Sequence, residues 1–379
     1  MVDWKTDKIK NCVKIATGSK NTEDREDNAK YPFFVRSAKV ERISTYTYDE
    51  EAVLTAGDGV GTGKIFHYIN GKFDVHQRVY VMTDFKKVSG KYFYYYFSKN
   101  FYDEVSKYTA KSSVDSVRRN MIADMDILIP PEDEQTRIVQ ILADVDEVID
   151  SLERAIVKKC NIRLGVMQQL MTGKRRLPGF TGEWTRATVN DVASVKDGTH
   201  GTFSRVKNGV LLLSAKNIFD NRIVIDENES KISESDYKAI VSNGFPKKGD
   251  ILLSCVGTLG RCTIFDLDEP VAFQRSVAFI RVTSGQIMPN YLKYLFQCKM
   301  VQDQLESAAN ASAQKGIYLG AIKKVSIDFP KDIREQQEVC RIIDDLNTEI
   351  DMLESKLHKY RNIKQGMMQE LLSGRIRLV

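Results

Sequence analysis

The stretch EQTRIVQILADVDEVIDSLERAIVKKCNIRLGVMQQLMTGKRRL, Glu134 to Leu177, returns 201 residues later as EQQEVCRIIDDLNTEIDMLESKLHKYRNIKQGMMQELLSGRIRL, Glu335 to Leu378. The two align without a gap and are identical at 18 of 44 positions. Chance supplies only a few, so the copies descend from one unit and the chain reads as a duplication. Each copy reads as a single long helix. Prolines stand just before it (Pro130 and Pro131; Pro330), and Gly173 and Gly374 fall where a C-terminal cap belongs, with basic residues beyond. In the first copy Ile138, Ile141, Val145, Val148, Leu152, Ala155 and Ile162 keep a three-four spacing. In the second Val339, Ile342, Leu346, Leu353, Tyr360, Ile363 and Met367 do the same, with Ile343, Ile350 and Leu357 widening the stripe. Such heptads predict a two-helix coiled coil in which each helix is the other's core. About 40 helical residues span roughly 60 Å. A globular segment lies between the copies, which makes antiparallel pairing the expected geometry.

The repeat continues outside the helices. VDWKTDKIKNCVKI near the start finds a partner in GEWTRATVNDVASV after the first helix, with Trp4 matching Trp184. FFVRSAKVERIS matches LLLSAKNIFDNRI through Ser37-Ala38-Lys39 and Ser214-Ala215-Lys216. Short strands joined by glycine turns are predicted in AVLTAGDGVGTGKIFHYINGKFDVHQRVYVM, and matching amphipathic helices in GKYFYYYFSKNFYDEVSKYT and PNYLKYLFQCKMVQDQLESAA. The fold class is therefore α+β: two mixed α/β domains separated by two long helices in an antiparallel coiled coil, with an internal pseudo-twofold repeat. The expected layout is a first domain over 1–130, a helix and junction over 131–178, a second domain over 179–329 and a second helix over 330–379.

Composition excludes several classes. The chain is 42% hydrophobic and 28% charged, as expected of a soluble globular protein, and no apolar run is long enough to span a membrane. The opening MVDWKTDKIKNCVKIATG lacks the apolar core of a secretory signal. Six scattered cysteines (Cys12, Cys160, Cys255, Cys262, Cys298, Cys340) form no C-x-x-C pair, which points to reduced thiols in a cytoplasm rather than disulfides or zinc. A net charge of +5 permits an acidic partner such as DNA.

TAGDGVGTGKIF, Thr55 to Phe66, resembles a phosphate-binding loop at first sight. A Walker loop needs a glycine five positions before Gly63, where Asp58 stands, and a serine or threonine after Lys64, where Ile65 stands. The loop has a counterpart in SCVGTLGRCTIF, Ser254 to Phe265, each copy giving glycines, one basic residue (Lys64 or Arg261) and then Ile-Phe. It is either a tight hairpin turn or a place where backbone approaches DNA, with Lys64 and Arg261 at phosphates. Gln77-Arg78 in HQRVYVM matches Gln274-Arg275 in FQRSVAFI. These residue types pair with adenine and guanine edges, or bond within their own strands. Clusters SVRRN (Arg118, Arg119) and AQKGIYLGAIKK (Lys315, Lys323, Lys324) hold matching places before each helix. Lys39 and Lys216 complete the candidate DNA contacts by residue type and internal symmetry.

With these motifs assembled, the whole chain resembles the specificity (S) subunits of type I restriction–modification systems. MQQLMTGKRRLPGFTGEW (Met167 to Trp184) carries most of the resemblance, together with PPEDEQTRIV, REQQEVCRII and QELLSGRIRLV. The resemblance implies two target-recognition domains, each reading one half of a split double-stranded DNA sequence, with the helices setting the unspecified spacer. It implies a chain without catalytic activity that docks two modification subunits, which bind S-adenosylmethionine and methylate adenine, and restriction subunits that use ATP and magnesium. The exposed helix positions Glu147, Glu153, Arg154, Lys158, Glu349, Glu354, Lys356 and Lys359 become expected docking faces. No cofactor or metal is expected on this chain, and no membrane partner.

The missing chemistry agrees. MPNYL (Met288 to Leu292) only scrambles a methyltransferase N-P-P-Y stretch, no nuclease pattern is present, and His67, His76, His200 and His358 stand isolated. The competing readings are a nucleotide-dependent enzyme built on the Thr55–Phe66 loop, which the spacing rejects, and a coiled-coil scaffold with protein-binding globular ends.

Overall fold

The computed structural model describes residues 3–59, 61–108, 116–242, 244–310 and 316–378. The chain divides into two compact units, Met1–Arg154 with Glu354–Val379, and Ala155–Leu353.

In the first unit β1 (Lys5–Lys8), β2 (Lys14–Thr17), β3 (Tyr31–Phe34), β4 (Glu41–Ile43), β5 (Tyr48–Ala56), β6 (Phe66–Val75) and β7 (Val79–Thr83) precede α1 (Gly90–Ser106). Then come α2 (Arg119–Ala123), β8 (Asp126–Ile129) and the long α3 (Glu132–Leu170). Six strands form one sheet in the order β2-β7-β5-β6-β3-β4, antiparallel except for the β3–β6 pair, while β1 pairs with β8. The aromatic run YFYYYF makes α1 apolar along one face. Tyr92, Phe93, Phe97 and Phe101 are fully buried, and Phe97 stacks on Phe101 at 4.3 Å between centroids. Each such ring contributes roughly 1.5–3 kcal/mol by leaving water. Ser89 caps the helix by accepting the Tyr92 N–H at 3.3 Å.

The second unit holds β9 (Trp184–Thr188), α4 (Val189–Val192), β10 (Ala193–Asp197), β11 (Val210–Leu213), β12 (Ile218–Phe219), β13 (Arg222–Ile223) and β14 (Lys231–Ile232). It continues through α5 (Glu234–Val241), β15 (Ile251–Ser254), β16 (Cys262–Ile264), β17 (Val271–Phe273) and β18 (Val277–Val282). The elements α6 (Pro289–Gln297), α7 (Lys299–Asn310), α8 (Leu319–Lys324), β19 (Ser326–Pro330) and α9 (Ile333–Leu371) complete the chain. Its sheets run β10-β18-β15-β16 and β14-β11-β17, with β12–β13 and β9–β19 as pairs. The expected single helix over PNYLKYLFQCKMVQDQLESAA is broken at Cys298, whose backbone is extended at φ −76 and ψ 142. The Gln302 amide stabilises the break by donating to the carbonyls of Phe296 and, at 2.9 Å, Gly260.

Each long helix contributes a part to each unit. Within the first unit Lys364 pairs with Asp146 at 2.5 Å and Arg361 with Glu153 at 2.6 Å. Within the second, Lys159 pairs with Glu349, and Arg163 donates to Asn347 at 2.9 Å. Residue numbers rise on α3 as they fall on α9, so the two segments in each unit run in opposite directions. The buried face keeps part of the expected stripe, with Ile138, Leu152, Val339, Ile343, Ile350 and Leu357 buried, and departs from it elsewhere. Ile162 and Ile363 are 40% and 38% exposed, whereas Leu142 and Ile149 are buried. Leu142 belongs to the core built on α1, so the globular domain, rather than a uniform heptad, selects that face.

The ends of the helices are fastened by the same device in each unit. Gly173 and Gly374 adopt φ +67 and +71, the left-handed C-cap conformation anticipated from sequence. The caps close with Arg175 N–H on Gln169 O at 3.1 Å and Ile376 N–H on Glu370 O at 3.3 Å. A tryptophan covers each glycine, Trp184 at Gly173 and Trp4 at Gly374. Three residues beyond the cap, Arg377 grips Glu134 at the start of α3 through two bonds of 2.8 Å, and Trp4 Nε1 and the Leu378 N–H donate to the same carboxylate at 2.9 and 3.0 Å. Arg176 grips Glu335 at the start of α9 in the same way, at 2.5 and 2.6 Å. The Arg377 hydrogen bond, outweighing burial and helped by the Trp4 and Leu378 donors, holds the Glu134 carboxyl at about 2. The next residue in each copy, Gln135 or Gln336, is buried and ties the loop before α1 or α6 to the helix start, bonding Ser89 N–H at 2.9 Å or Met288 N–H at 2.9 Å.

Candidate nucleic-acid interface

The glycine loop of the first unit is the connection between antiparallel β5 and β6, whose last pair is Thr55 opposite Phe66. Gly59 and Gly63 take φ +90 and +72, and the Thr62 and Lys64 N–H groups bond inside the loop to Gly59 O and Gly61 O. Those donors point at the loop's own carbonyls rather than outward as a phosphate cradle would require. The Asp58 carboxylate receives Arg36 at 2.9 Å and Arg78 at 2.5 Å. Burial raises its pKa, but the two arginines outweigh burial and leave it below the ordinary carboxylate range.

Gln77 and Arg78 occupy the tight turn between β6 and β7, not a strand. His76 N–H bonds Phe34 O at 3.0 Å, Gln77 N–H bonds Lys20 O at 2.8 Å, and Val79 N–H closes the turn on His76 O at 3.0 Å. His76 Nδ1 accepts the Arg78 N–H at 3.0 Å, a bond made by the neutral ring, and burial, then Arg36, lowers its pKa. The Gln77 side chain is exposed and donates to Asn21 Oδ1 at 2.7 Å. Near this turn the chain returns through Val117, whose N–H bonds Gly57 O at 2.7 Å, and Arg118 then precedes α2 with its side chain exposed. Arg119 reaches Ile15 O at 3.4 Å, Lys39 pairs with Glu41 at 3.2 Å, and Lys64 lies 4.5 Å from the centre of the Tyr102 ring.

The second unit repeats this framework with other side chains. Its hairpin joins β15 to β16 through Gly257 and Gly260 at φ +79 and +80, and Arg261 packs 4.5 Å from the Phe219 ring centre. The turn between β17 and β18 carries Gln274, Arg275 and Ser276. Gln274 N–H bonds Leu213 O at 2.9 Å, Arg275 N–H bonds Thr199 O at 3.0 Å, and Cys255 N–H bonds Ser276 O at 2.8 Å. The last bond matches Gly57 N–H on Arg78 O at 2.8 Å. By these bonds Gln274 stands where His76 does, Arg275 where Gln77 does and Ser276 where Arg78 does. The Gln-Arg match read from sequence is displaced by one residue, because backbone partners set the turn's register. Ser-Ala-Lys slips too: Leu213 and Phe34 are equivalent, which leaves Lys216 three residues past its strand and Lys39 five past.

A concavity of about 440 Å³ lies beside this turn, lined among others by Asp197, His200, Val256, Arg275 and Tyr318. His200 Nε2 bonds Asp197 at 2.6 Å. Val256 and Tyr318 are 50% and 56% exposed. Ile317 N–H bonds Cys255 O at 2.9 Å, so Tyr318 occupies the position of Arg118. Lys216 pairs with Glu229 at 3.0 Å. Lys323 lies in α8, five residues past the equivalent of Arg118, and Lys315 lies outside the described residues. The sequence set His200 aside as isolated and did not single out Arg36, Asn21 or Tyr318, which the structure places around these turns. Only Tyr318 left a trace, in the match of AQKGIYLG to the segment before α2.

Among the described residues no group of three His, Cys, Asp or Glu side chains could hold a metal ion, and no helix is long and apolar enough to cross a membrane. MPNYL forms the start of α6 with Pro289 in its first turn.

Residues 1–159 and 182–359 match the family described as "Type I restriction modification DNA specificity domain". The chain is 23% identical over 403 residues to the type I restriction enzyme MjaVIII specificity subunit of Methanocaldococcus jannaschii, covering 99% of this chain and 93% of that protein. It is 22% identical over 330 residues to the type I restriction enzyme EcoBI specificity subunit of Escherichia coli, covering 80% and 69%. Among solved structures, the type I restriction–modification system S subunit from M. genitalium superposes with a TM-score of 0.64 at 14% identity, covering 98% of this chain and 96% of that one, a likeness of fold.

Proposed function

The chain belongs to the type I restriction–modification DNA specificity family, and from that premise we propose that it reads a split double-stranded DNA target, one half per globular domain. The family consists of specificity subunits without catalytic activity, which recognise DNA and assemble with other subunits. The observation that carries the bipartite reading is the repeated framework of hairpin, tight turn and returning segment, furnished with different side chains in the two units. A common frame with different contact groups suits two different half-sites.

The recognition domains in this reading are residues 1–130 and 179–329. The segments 131–178 and 330–379 pair as an antiparallel coiled coil that sets the spacer and relates the two halves by a pseudo-twofold. Lys39, Lys64, Gln77, Arg78, Arg118 and Arg119 would face DNA in the first domain. Lys216, Arg261, Gln274, Arg275, Lys315 and Lys323 would do so in the second. Lys64 and Arg261 support the reading best as phosphate contacts, since each belongs to a hairpin and holds its charged head over an aromatic ring. Two modification subunits carrying S-adenosylmethionine, and restriction subunits using ATP and magnesium, would supply the chemistry in a cytoplasmic complex.

The test is to exchange residues 1–130 for the first domain of another family member, assemble the complex with its modification subunits and map adenine methylation. One half of the target should change and the other should persist. In a parallel variant, four residues inserted after Arg154 and four after Leu353 should lengthen the spacer and preserve both halves, one helical turn being about 5.4 Å. Change of both halves, or an unchanged motif, refutes the assignment. A complex that assembles but shows no DNA-sequence preference favours the scaffold reading.

A further inference from the structure

We propose that Arg275 reads a guanine in the half-site addressed by the second unit, an assignment that rests on the DNA-reading function above. The turn that carries it is fixed from several sides. Arg275 N–H bonds Thr199 O at 3.0 Å, Val277 N–H bonds Gln274 O at 3.0 Å, Cys255 N–H bonds Ser276 O at 2.8 Å, and Ser276 Oγ accepts the Ala215 N–H at 3.0 Å. Three separate segments therefore hold the backbone, which preorganises whatever the side chain presents.

The side chain itself is exposed and has no ion pair or hydrogen bond among the described residues. Several arginines of the units are engaged, Arg78 and Arg36 with Asp58, Arg186 with Asp328, Arg281 with Asp250, and Arg176 with Glu335, whereas Arg275, like Arg205, carries no such bond among the described residues. The carboxylate that lines the concavity with Arg275, Asp197, is bonded to His200 at 2.6 Å.

The surroundings separate a base edge from a phosphate. A phosphate seat gathers donors and excludes acids, whereas Arg275 shares its concavity with the Asp197 carboxylate and with the exposed apolar surfaces of Val256 and Tyr318. Carboxylates repel phosphate but can accept from the amino group of cytosine, and apolar side chains pack against bases. An arginine projecting into such a mixed site matches the O6 and N7 acceptors of guanine, which its planar fork can bond together. The first unit shows the contrast. In the place of Arg275 it has Gln77, an amide already oriented by Asn21, and in the place of Tyr318 it has Arg118. One frame thus presents an amide in one unit and a guanidinium in the other.

The experiment uses the complex assembled with its modification subunits, on DNA carrying the split motif that wild type methylates. Each base pair of the second unit's half-site is substituted in turn, and binding is measured for wild type, R275A and R275K across a salt series. R275A should lose about 10- to 100-fold of discrimination at a single G·C pair and keep the rest of the motif. R275K should recover only part, because a lysine cannot form the paired bonds. Unfolding followed at Trp184 should be unchanged, which separates lost contact from lost fold. Uniform weakening across all sequences, with the salt slope reduced by about one, would make Arg275 a phosphate contact and overturn the proposal. An unaltered motif in R275A would overturn it as well. If the wild-type complex recognises no split motif, the DNA-reading function falls, and the inference falls with it.

Discussion

Replacing Arg377 by methionine should destabilise the first unit by about 3–5 kcal/mol, the usual cost of leaving a buried carboxylate without its partner. The Glu134 side chain is only 2% exposed, and Arg377 supplies two of its four hydrogen bonds while Trp4 and the Leu378 N–H supply the others. Those two neutral donors remain in R377M, so the lower part of the range is expected. The protein has two tryptophans, Trp4 and Trp184, one at each clamp, so W184F leaves Trp4 as the reporter of the first unit. With a urea dependence of about 2 kcal/mol per molar, R377M in that background should move the Trp4 transition down by roughly 1.5 M. The pH dependence fixes the cause. Glu134 has a carboxyl held at about 2 in the folded unit against an ordinary 4.5. A depressed carboxylate stabilises the folded state fully above the unfolded value and loses that contribution as pH falls toward the folded one. The gap between wild type and R377M should accordingly be constant near neutrality and narrow between about pH 4.5 and 2. The double variant E134L/R377M should be more stable than R377M, since no charge is left unpaired. A midpoint shift below about 0.3 M, or a double variant no better than R377M, would refute the reasoning.

Two further outcomes are expected. Gly374→Ala places a Cβ at φ +71, where it would lie 3.3 Å from the Trp4 ring, so it should lower stability by about 1–2 kcal/mol. Glycine-to-alanine changes at compatible sites stabilise instead, so the sign of the shift in a Trp4-monitored thermal melt decides. Asp58→Asn releases Arg36 and Arg78 together; non-specific DNA binding by the assembled complex should strengthen, with a salt slope steeper by up to about two, and discrimination should fall. A salt titration showing an unchanged slope would remove Arg36 and Arg78 from the DNA-facing surface.

What could be read from the sequence was whatever is fixed by covalent order and local conformation. A glycine three residues past each helix needs a left-handed backbone, and Gly173 and Gly374 have it. The aromatic run of α1 has to be buried, and it is. The losses came where distant backbone groups choose among similar local sequences. Gln77-Arg78 and Gln274-Arg275 look alike, but Phe34 O and Leu213 O select His76 and Gln274 as the equivalent positions. The break at Cys298 carries no proline or glycine, and it depends on a glutamine four residues on that bonds back to Phe296 O and across to Gly260 O. Arg78 reads as a free contact in sequence because nothing local announces that Asp58, twenty residues earlier, receives it.

The distribution of identity between the two copies has a physical explanation. Glu134 and Glu335, Gln135 and Gln336, Gly173 and Gly374, Arg176 and Arg377, and Trp4 and Trp184 are identical pairs, and they make up the fastening of helix ends in each unit. Each member has a geometric duty that few residue types satisfy: a bidentate fork, a buried carboxylate, a left-handed cap, a flat ring over it. The turn positions carry a looser duty, since main-chain bonds common to both units hold the frame there, while the side-chain bonds differ, His76 Nδ1 accepting from Arg78 N–H in one unit and Ser276 Oγ from Ala215 N–H in the other. His76, Gln77 and Arg78 can therefore become Gln274, Arg275 and Ser276 without loss of the turn. Geometry is stored in the identical residues and chemistry in the different ones. In the reading proposed above, substitutions at the turn would change which bases are read, while the clamp in each unit holds its helix ends.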